Sequence, residues 1–336
     1  MFSKTLLKWY QLNKRALPWR DIDNPYYIWV SEIMLQQTQV STVIPYFNRF
    51  IKALPDVYHL ANVDDNTLMK LWEGLGYYSR ARNLKISAKD IVNNHQGQIP
   101  NTYQELIKLK GIGPYTAGAI LSMAFNKKAI APDGNAYRVL TRYFGIKEDI
   151  RLTTTKQKLN ELNKALLIKP YRDFTQSFMD FGSMVCKKAP LCERCPLKDS
   201  CYAYKYDITL ELPFISPLKE KEVKHYYTFV LKEHDQFILE QETADLLKGL
   251  YKYPQIEAES LAYAQEQLEE KGIKLLSIVG EKTYKHTFTH LIWQMHVIYG
   301  YAEVDKPYIK TTNLDDYPMP TAHKKIAYHR YFNSGK

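Results

Sequence analysis

The chain has 336 residues, of which 45% are hydrophobic and 24% charged, so it is long enough for about two domains and too apolar for a disordered protein. No uncharged run reaches the roughly 20 apolar residues of a membrane span, the longest candidate being the glycine-interrupted stretch 111–126. Residues 1–216 carry 30 lysines and arginines against 19 acidic side chains, whereas residues 217–336 carry 16 against 17. The first part therefore favours a polyanionic partner such as nucleic acid.

The hydrophobic spacing up to about residue 181 is helical, with frequent proline and glycine breaks, and predicts about ten short helices with little or no sheet. The basic, amphipathic start of the chain is a pattern that transit peptides share. Because nothing there resembles a cleavage site, a first helix packed through Leu6, Leu7 and Trp9 is favoured.

Residues 106–125, LIKLKGIGPYTAGAILSMAF, predict a helix, a tight turn and a second helix. Gly111 and Gly113 permit the turn and allow backbone N–H groups to approach an oxygen closely. Pro114 suits the first turn of the second helix, and Lys110 adds positive charge. The pattern resembles the helix-hairpin-helix element, which holds DNA phosphates without reading sequence.

All four cysteines lie within sixteen residues, in the spacing C-x5-C-x2-C-x5-C. Such close cysteines do not join distant segments as a disulfide framework does, so a metal site in a reducing cytosol is favoured. Four thiolates could hold zinc or an iron–sulfur cluster. Zinc sites more often pair two CxxC units, and only one is present. The ligands of this site would be Cys186, Cys192, Cys195 and Cys201.

The pattern changes after residues 212–222, a proline-bearing stretch that predicts a linker. Runs rich in β-branched and aromatic residues then predict strands, and two amphipathic stretches predict helices, which indicates an α+β domain. The predicted strands are 225–231, 236–240, 274–280 and 291–302, and the predicted helices are 261–271 and 321–331.

Together with the hairpin and the cysteines, three further segments carry a family resemblance: LPWRDIDNPYYIWVSEIMLQQTQV (17–40), LWEGLGYYSRARNL (71–84) and PDGNAYRV (132–139). The chain resembles the adenine DNA glycosylases, the MutY family, of the endonuclease III superfamily. The resemblance implies a multidomain protein with an all-α helix-hairpin-helix core, an iron–sulfur loop and an α+β, Nudix-like C-terminal domain. The expected boundaries are 26–131 for a helical barrel with its hairpin at 105–125, 1–25 plus 132–211 for the cluster domain, 212–222 for the linker and 223–336 for the Nudix-like domain.

The resemblance assigns the chemistry to two carboxyl groups. Glu32 would protonate the leaving adenine, and its apolar neighbours are expected to raise its pKa. Asp133 would stay ionised and stabilise the sugar cation, directly or through a covalent adduct, with Asn135 orienting it. Tyr115 occupies the position where strand-cleaving relatives carry a Schiff-base lysine, which implies a monofunctional enzyme. From the residues alone, the favoured interpretations are a paired helix glutamate for Glu32 and a helix N-cap for Asp133.

Further positions follow from the same resemblance. Extrusion of the base requires side chains that fill the gap in the duplex. The alternative interpretations are a polar helix face for Gln37 and Thr38 and ordinary core packing for Tyr77 and Trp19. The expected contacts are Gln37, Thr38, Tyr77, Gly111, Gly113 and Lys110 for DNA, Trp19 and Arg20 for the adenine pocket, and Phe288, Thr289 and His290 for 8-oxoguanine.

Two departures from the family pattern stand out. The first cysteine gap has five residues where the family has six, although the resemblance still implies a [4Fe–4S] cluster rather than zinc. The family's Phe-Ser-His loop has become Phe-Thr-His at residues 288–290, and threonine keeps the hydroxyl. No glutamate-rich Nudix hydrolase signature is present, so pyrophosphatase activity is not expected.

The resemblance thus implies a monomeric adenine DNA glycosylase of base excision repair, of bacterial type, cytoplasmic and nucleoid-associated, with no membrane partner. Its substrate would be duplex DNA with adenine opposite 8-oxoguanine or guanine, and its product an abasic site. One rival is a non-catalytic hairpin protein that binds mismatched DNA with a redox-sensing cluster. Another is a pyrimidine-lesion glycosylase/lyase, which Tyr115 and the C-terminal domain disfavour.

Overall fold

The computed structural model describes residues 1–20, 22, 24–217, 220–244, 247–288 and 290–332. Its contacts divide the chain into two compact units. The first unit comprises Met1–Val63 and Arg82–Pro217, and the second comprises Asp64–Ala81 and Leu218–Lys336. Two positions of the predicted linker, Leu218 and Lys219, lie outside the described residues. The predicted division of the helical part into a barrel and a cluster domain stays a prediction.

Within the described part of residues 1–217, the regular structure is helical, as the sequence predicts. No helix among the described residues is long and apolar enough to cross a bilayer. The α-helices are α1 Phe2–Asn13, α2 Pro25–Leu35, α3 Val40–Ala53, α4 Val57–Asn62, α5 Asp65–Trp72, α6 Ser79–Asn94, α7 Tyr103–Leu106, α8 Pro114–Ala119, α9 Gly134–Phe144, α10 Thr153–Leu166, α11 Tyr171–Met184 and α12 Tyr202–Lys205. A π-helical turn, Ile120–Ala124, continues α8, and short 3₁₀ turns occupy Cys192–Arg194 and Lys198–Ser200.

Helix caps place the two elements that carry the predicted carboxyl groups. Asn24 accepts hydrogen bonds from the backbone N–H groups of Tyr26 and Tyr27, and Pro25 begins α2. Asp133 caps α9 in the same way, and Gly145, with φ 68°, ends it. The start of each helix is therefore determined by its own sequence.

The first helix docks on the helical unit as expected, and α1 packs against α11. Its apolar side joins a core shared with α9, α10 and α11, and Trp9 meets Phe181 edge-on at 5.1 Å between ring centroids. The fully or nearly fully buried side chains of this core include Phe2, Leu6, Leu140, Leu159, Phe174 and Phe181. Burial of such side chains stabilises each by about 1.5–3 kcal/mol, which orders the N-terminal segment.

The second unit contains a mixed β-sheet, and all four predicted strands lie within strands of the structure. Neighbours follow the order β3-β2-β1-β6-β5, with β4 beside β1 and β7 beside β2. The pair β1 and β6 is parallel, whereas β5 and β6 run antiparallel. The strands are β1 Glu222–Glu233, β2 Gln236–Gln241, β3 Tyr251–Lys252, β4 Gln255–Glu257, β5 Ile273–Thr287, β6 Leu291–Val304 and β7 Ile309–Thr311.

Of the two predicted C-terminal helices, one is confirmed and one is wrong in part. Helix α13, Leu261–Glu270, packs its buried Ala264 and Leu268 on the sheet core. The predicted helix over 321–331 is instead two single turns, α14 Thr321–Lys324 and α15 His329–Phe332.

The break in the C-terminal helix has a local cause at Ala327. Its backbone N–H donates to the Tyr284 hydroxyl at 3.1 Å, and its carbonyl accepts from the Tyr299 hydroxyl at 2.8 Å. Both tyrosines stand on strands of the sheet. These tertiary hydrogen bonds replace the helical ones, and hydrophobic periodicity carries no information about them.

Candidate active site

A cavity of about 310 Å³ opens in the first unit between α2, the turn that precedes it, the hairpin and α11. It gathers all the residues that the sequence predicts for catalysis and for the adenine pocket, together with two of the predicted DNA contacts. The predicted residues on its wall are Trp19, Arg20, Glu32, Gln37, Thr38, Tyr115, Asp133 and Asn135. Residues from positions as distant as 19 and 135 therefore share one wall.

Glu32 lies on α2 and is only 4% exposed. The Tyr115 hydroxyl donates a hydrogen bond to its Oε2 at 2.8 Å. Burial raises the pKa of Glu32 to about 7, and the charge of Asp133 adds to this, while the hydrogen bond from Tyr115 and the charge of Arg20 act in the opposite direction. A carboxyl group with such a pKa holds a proton at neutral pH and can give it away.

Asp133 is surrounded by donors. As the N-cap of α9, it accepts from the Ala136 backbone N–H at 2.8 Å and from Nδ2 of Asn135 at 2.6 Å. Burial raises the pKa of this carboxyl group as well, but these hydrogen bonds and the charge of Arg138 oppose the shift. Within the part of the chain that the structure describes, Glu32 accepts one such hydrogen bond, from the Tyr115 hydroxyl. Hydrogen bonding therefore favours the ionised form of Asp133 more strongly than that of Glu32.

Two glycines allow the elements around Asp133 to approach closely. A Cβ on Gly182 of α11 would collide with the Asn135 side chain, and a Cβ on Gly118 of α8 would collide with the Ile130 carbonyl. Arg138 links α9 to α11, because its guanidinium donates at 2.7 Å both to Oδ1 of Asn135 and to the Gly182 carbonyl. Asn135 is therefore locked in the orientation in which it donates to Asp133.

The adenine-pocket residues Trp19 and Arg20 are both buried, at 4% and 7% exposure. Arg20 is held by a residue that the sequence analysis did not single out. Its guanidinium donates to Oδ2 and Oδ1 of Asp180 on α11 at 2.6 and 2.8 Å. Arg15 joins the same carboxylate through its backbone N–H at 3.0 Å and its side chain at 2.6 Å. Asp180, whose side chain is fully buried, thus attaches the wall of the cavity to α11.

Replacing Asp180 by asparagine is expected to move the pH dependence of the reaction. The charge of Arg20 would lose its counter-ion beside Glu32, lowering the pKa of Glu32 and shifting the alkaline fall in rate to lower pH by roughly half a unit or more. The same change should cost about 3–5 kcal/mol of stability, as expected when a buried pair loses one partner. Single-turnover rates against pH, with thermal melting, test this.

The control is Asp173→Asn on the first turn of the same helix, which should leave both properties unchanged. A folded Asp180→Asn protein with the wild-type pH profile would contradict the role assigned to Asp180.

Gln176 is a second cavity residue that the sequence analysis missed. It lies on α11, is 5% exposed, and its Oε1 accepts from the Tyr10 hydroxyl. A buried amide with one side fixed presents its other polar atom in a defined direction. The sequence signal for Gln176 is a polar residue within the apolar face of a helix. The sequence does not show that this part of the helix lines a cavity.

The turn and the second helix of the hairpin are confirmed, whereas of the predicted first helix only Leu106 is helical, at the end of α7, and residues 107–110 form turns and a bend. Gly111 adopts a φ of 82°, and a Cβ there would come within 2.8 Å of the Asn83 side chain. Gly113 is the N-cap of α8, which begins at Pro114. The Lys110 carbonyl accepts from the Ser87 hydroxyl at 2.8 Å, which anchors the turn, while the Lys110 side chain is exposed. The structure therefore presents a fixed, glycine-lined turn at the surface.

Two of the predicted DNA contacts adopt left-handed backbone conformations. Gln37 has a φ of 58° and Tyr77 a φ of 48°, values that side-chain-bearing residues rarely adopt. Gln37 is exposed on the rim of the cavity beside Thr38, whereas Tyr77 belongs to the second unit, with 44% of its surface exposed. Strain of this kind concentrates at functional positions.

The four cysteines converge on one small cavity of about 30 Å³. Buried Arg142 donates to the Lys187 and Lys188 carbonyls and approaches Sγ of Cys186 at 3.5 Å. Four converging thiols with a cationic donor at a sulfur fit a polynuclear cluster, whose potential and stability depend on such hydrogen bonds.

Of the predicted lesion-recognition residues, Phe288 and His290 lie between β5 and β6. The Phe288 backbone N–H donates to the Leu291 carbonyl at 2.7 Å, and its ring meets those of His286 and Trp293 at 4.5 and 4.8 Å. His290 is exposed, and Thr289 lies outside the described residues.

Comparison with known proteins agrees with this geometry. Residues 30–165 match the family described as HhH-GPD superfamily base excision DNA repair protein, and residues 226–329 match the NUDIX domain. The adenine DNA glycosylase of Buchnera aphidicola subsp. Baizongia pistaciae is 36% identical over 303 residues, covering 89% of this chain and 86% of that protein. The chain belongs to the adenine DNA glycosylase family. The resemblance stated from the motifs and the predicted fold class are thereby confirmed.

Solved structures support the helical part of this assignment. A thermostable thymine-DNA glycosylase superposes with a TM-score of 0.57 at 30% identity, over 61% of this chain and 95% of its own. Endonuclease III in a trapped covalent complex with DNA superposes with a TM-score of 0.53 at 22% identity, over 62% and 97%. The second likeness shows the shared fold.

Proposed function

We propose that this member of the family removes adenine from duplex DNA where it is mispaired with 8-oxoguanine or guanine, acting as a monomer. The observation that carries the proposal is the meeting of Glu32 and Asp133 in one cavity, one carboxyl group in an apolar setting and the other among donors. A protein that only binds mismatches has no use for a buried acid of this kind, which is costly to maintain.

The geometry supports a dissociative mechanism. Glu32 donates its proton to N7 of the extruded adenine, and the electron pair of the N-glycosidic bond leaves with the base. The sugar becomes an oxocarbenium ion, which the Asp133 carboxylate stabilises. Water then adds to C1′, its proton returns to Glu32, and an abasic site and free adenine are released. Trp19 and Arg20 line the space for the base, and Gln37 would enter the duplex.

Tyr115 supports a monofunctional reaction. It lies where a Schiff-base lysine would be, and its hydroxyl is committed to Glu32. Burial raises the pKa of this phenol further above its usual range, so it remains protonated and is no nucleophile. The DNA strand should therefore stay intact after the base has left.

The deciding experiment uses a labelled duplex with one adenine opposite 8-oxoguanine. We expect an alkali-labile site at that adenine and no cleavage before alkali. Borohydride should trap no efficient covalent complex. Binding without base release would favour the mismatch-binding rival, and strand cleavage with efficient trapping would favour the glycosylase/lyase.

We also propose that the four cysteines hold a [4Fe–4S] cluster, with the loop from Cys186 to Cys201 presenting basic side chains to DNA. The cluster would organise this loop and has no step in the excision reaction. The five-residue first gap is accommodated between the end of α11 and the 3₁₀ turn at Cys192–Arg194.

Removing one ligand tests the cluster. The purified protein should absorb near about 400 nm, and Cys192→Ala should lose that band and lower the melting temperature, because a bound cofactor stabilises only the folded state. Metal analysis separates the alternatives. A colourless protein containing one equivalent of zinc would refute the cluster.

A further inference from the structure

The segment Asp64–Ala81 is grouped by its contacts with the C-terminal residues rather than with its sequence neighbours. Glu73, directly after α5, makes the connecting interactions. One carboxylate oxygen accepts from the Met319 backbone N–H at 3.1 Å, and the other pairs with the Lys324 ammonium at 3.0 Å. The Glu73 side chain is only 10% exposed, whereas that of Lys324 is 49% exposed, so the hydrogen bond from the Met319 backbone is the better shielded of the two interactions.

Tyr78 completes this attachment from the other side of Met319. Its hydroxyl donates to the Met319 carbonyl at 3.4 Å and accepts from the Gly74 backbone N–H at the same distance. Both polar groups of the Met319 backbone are thus held by residues that flank Tyr77. Tyr78 itself is 3% exposed.

The turn between Glu73 and Tyr78 is strained and braced. Tyr77 adopts a φ of 48°. The Trp72 indole donates to the Gly76 carbonyl at 3.1 Å, and Arg80 donates to the Leu75 and Gly76 carbonyls at 3.1 Å. The Arg80 guanidinium also lies 5.4 Å from the centre of the Tyr77 ring. A residue in this conformation persists only where its surroundings hold it there.

We propose that the contacts of Glu73 with Met319 and Lys324 form a latch, an attachment through which the C-terminal domain sets the position of Tyr77. Glu73 is then a positioning residue for discrimination between 8-oxoguanine and guanine. The proposal rests on the proposed function, in which Tyr77 enters the duplex near the base opposite adenine and residues 288–290 read that base. The domain that reads the lesion would thereby hold the tyrosine that wedges beside it.

The attachment is more than an incidental surface ion pair. Exposed pairs contribute little and carry no geometric information. Here one carboxylate satisfies a backbone N–H and an ammonium together, and the braced turn connects it to the exposed Tyr77 ring within four residues. Lys70 also pairs with Glu73, at 3.2 Å, but from within the same segment, so its removal leaves the connection to Met319 and Lys324 intact.

The test compares single-turnover rates and DNA affinities for adenine opposite 8-oxoguanine and opposite guanine. Glu73→Ala should reduce the preference for the 8-oxoguanine duplex by roughly 5- to 20-fold, with the guanine duplex changed less than about twofold. Lys324→Met should act in the same direction with a smaller effect, and it serves if Glu73→Ala does not fold. Lys70→Ala and Lys325→Ala are the matched controls and should keep the preference.

Epistasis shows whether the effect passes through Tyr77. The double variant Glu73→Ala/Tyr77→Ala should discriminate no worse than Tyr77→Ala alone. Additive losses, or an unchanged preference in folded Glu73→Ala and Lys324→Met, would overturn the latch. Failure of the wild-type protein to release adenine from either duplex would overturn the proposed function instead, so the two failures are distinct.

Discussion

Replacing Glu32 by glutamine is expected to lower the single-turnover rate of adenine release by about 10²–10⁴-fold, the range over which a general acid contributes. Glutamine keeps the size of the side chain and an oxygen that can accept from Tyr115, so the cavity should persist. DNA binding should therefore be retained. The measurement is base release under enzyme excess, with affinity for the same duplex measured in parallel.

The pH dependence of the wild-type rate should report the same group. Glu32 must be protonated to act, and its pKa is raised to about 7, so the rate should fall about tenfold per pH unit well above pH 7. The residual rate of Glu32→Gln should lack this fall. Glu161→Gln, an exposed change on α10, provides the control and should reproduce the wild-type profile.

Glu32→Gln should be more stable to unfolding than the wild-type protein at high pH. The folded-state pKa of Glu32 lies above the value of about 4.3 for an exposed glutamate, so the folded state binds the proton more tightly. Its contribution is complete below pH 4 and is lost as the pH rises through about 7. Above that pH the buried charge costs roughly 3–4 kcal/mol, since each pKa unit between the folded and exposed values is worth about 1.4 kcal/mol, and glutamine avoids this cost. Thermal melting at pH 8 should therefore favour Glu32→Gln over the wild-type protein.

The parts of the candidate site that lie in sequence motifs could be predicted from the sequence. The segments around residues 32, 115 and 133 each have a distinct local pattern, and the structure brings them to one cavity. Local rules suffice there, because caps and glycine turns are written in neighbouring residues, as at Asn24, Gly111 and Asp133. The catalytic roles of these residues remain proposals for the experiments above.

The remaining parts of the site depend on packing between distant segments. Asp180 looks like any acidic residue of an amphipathic helix, and its partners Arg15 and Arg20 lie some 160 positions earlier. Glu73 has an ordinary partner three residues away in Lys70, which conceals its contacts with the C-terminal residues. The break at Ala327 likewise depends on tyrosines of two strands. Hydrophobic periodicity reports that a face is buried and leaves the identity of its partner open.

Replacing Asp133 by asparagine separates the two interpretations that the sequence leaves open for this residue. Asparagine is as good an N-cap as aspartate, so α9 should still begin at Gly134. Its amide N–H₂ would face Nδ2 of Asn135 in place of an oxygen, and the lost hydrogen bond should cost about 1–3 kcal/mol of stability. The negative charge beside the sugar is lost, however. Since fixed charges that stabilise a transition state are worth about 10²–10³-fold each, base release should fall by at least that factor.

Asp56→Asn provides the matched control, because Asp56 caps α4 through the backbone N–H of His59 and lies on no wall of the cavity. Asp56→Asn should leave the rate of base release unchanged. A loss of rate in Asp133→Asn alone would then show that the charge of Asp133 matters, and not the charge of any helix cap. If a folded Asp133→Asn protein released adenine at the wild-type rate, Asp133 would be a cap alone. The cation would then need another anion, and among the carboxyl groups on the described wall only Glu32 remains. A retained rate would therefore refute the role assigned to Asp133, and with it the two-carboxylate mechanism.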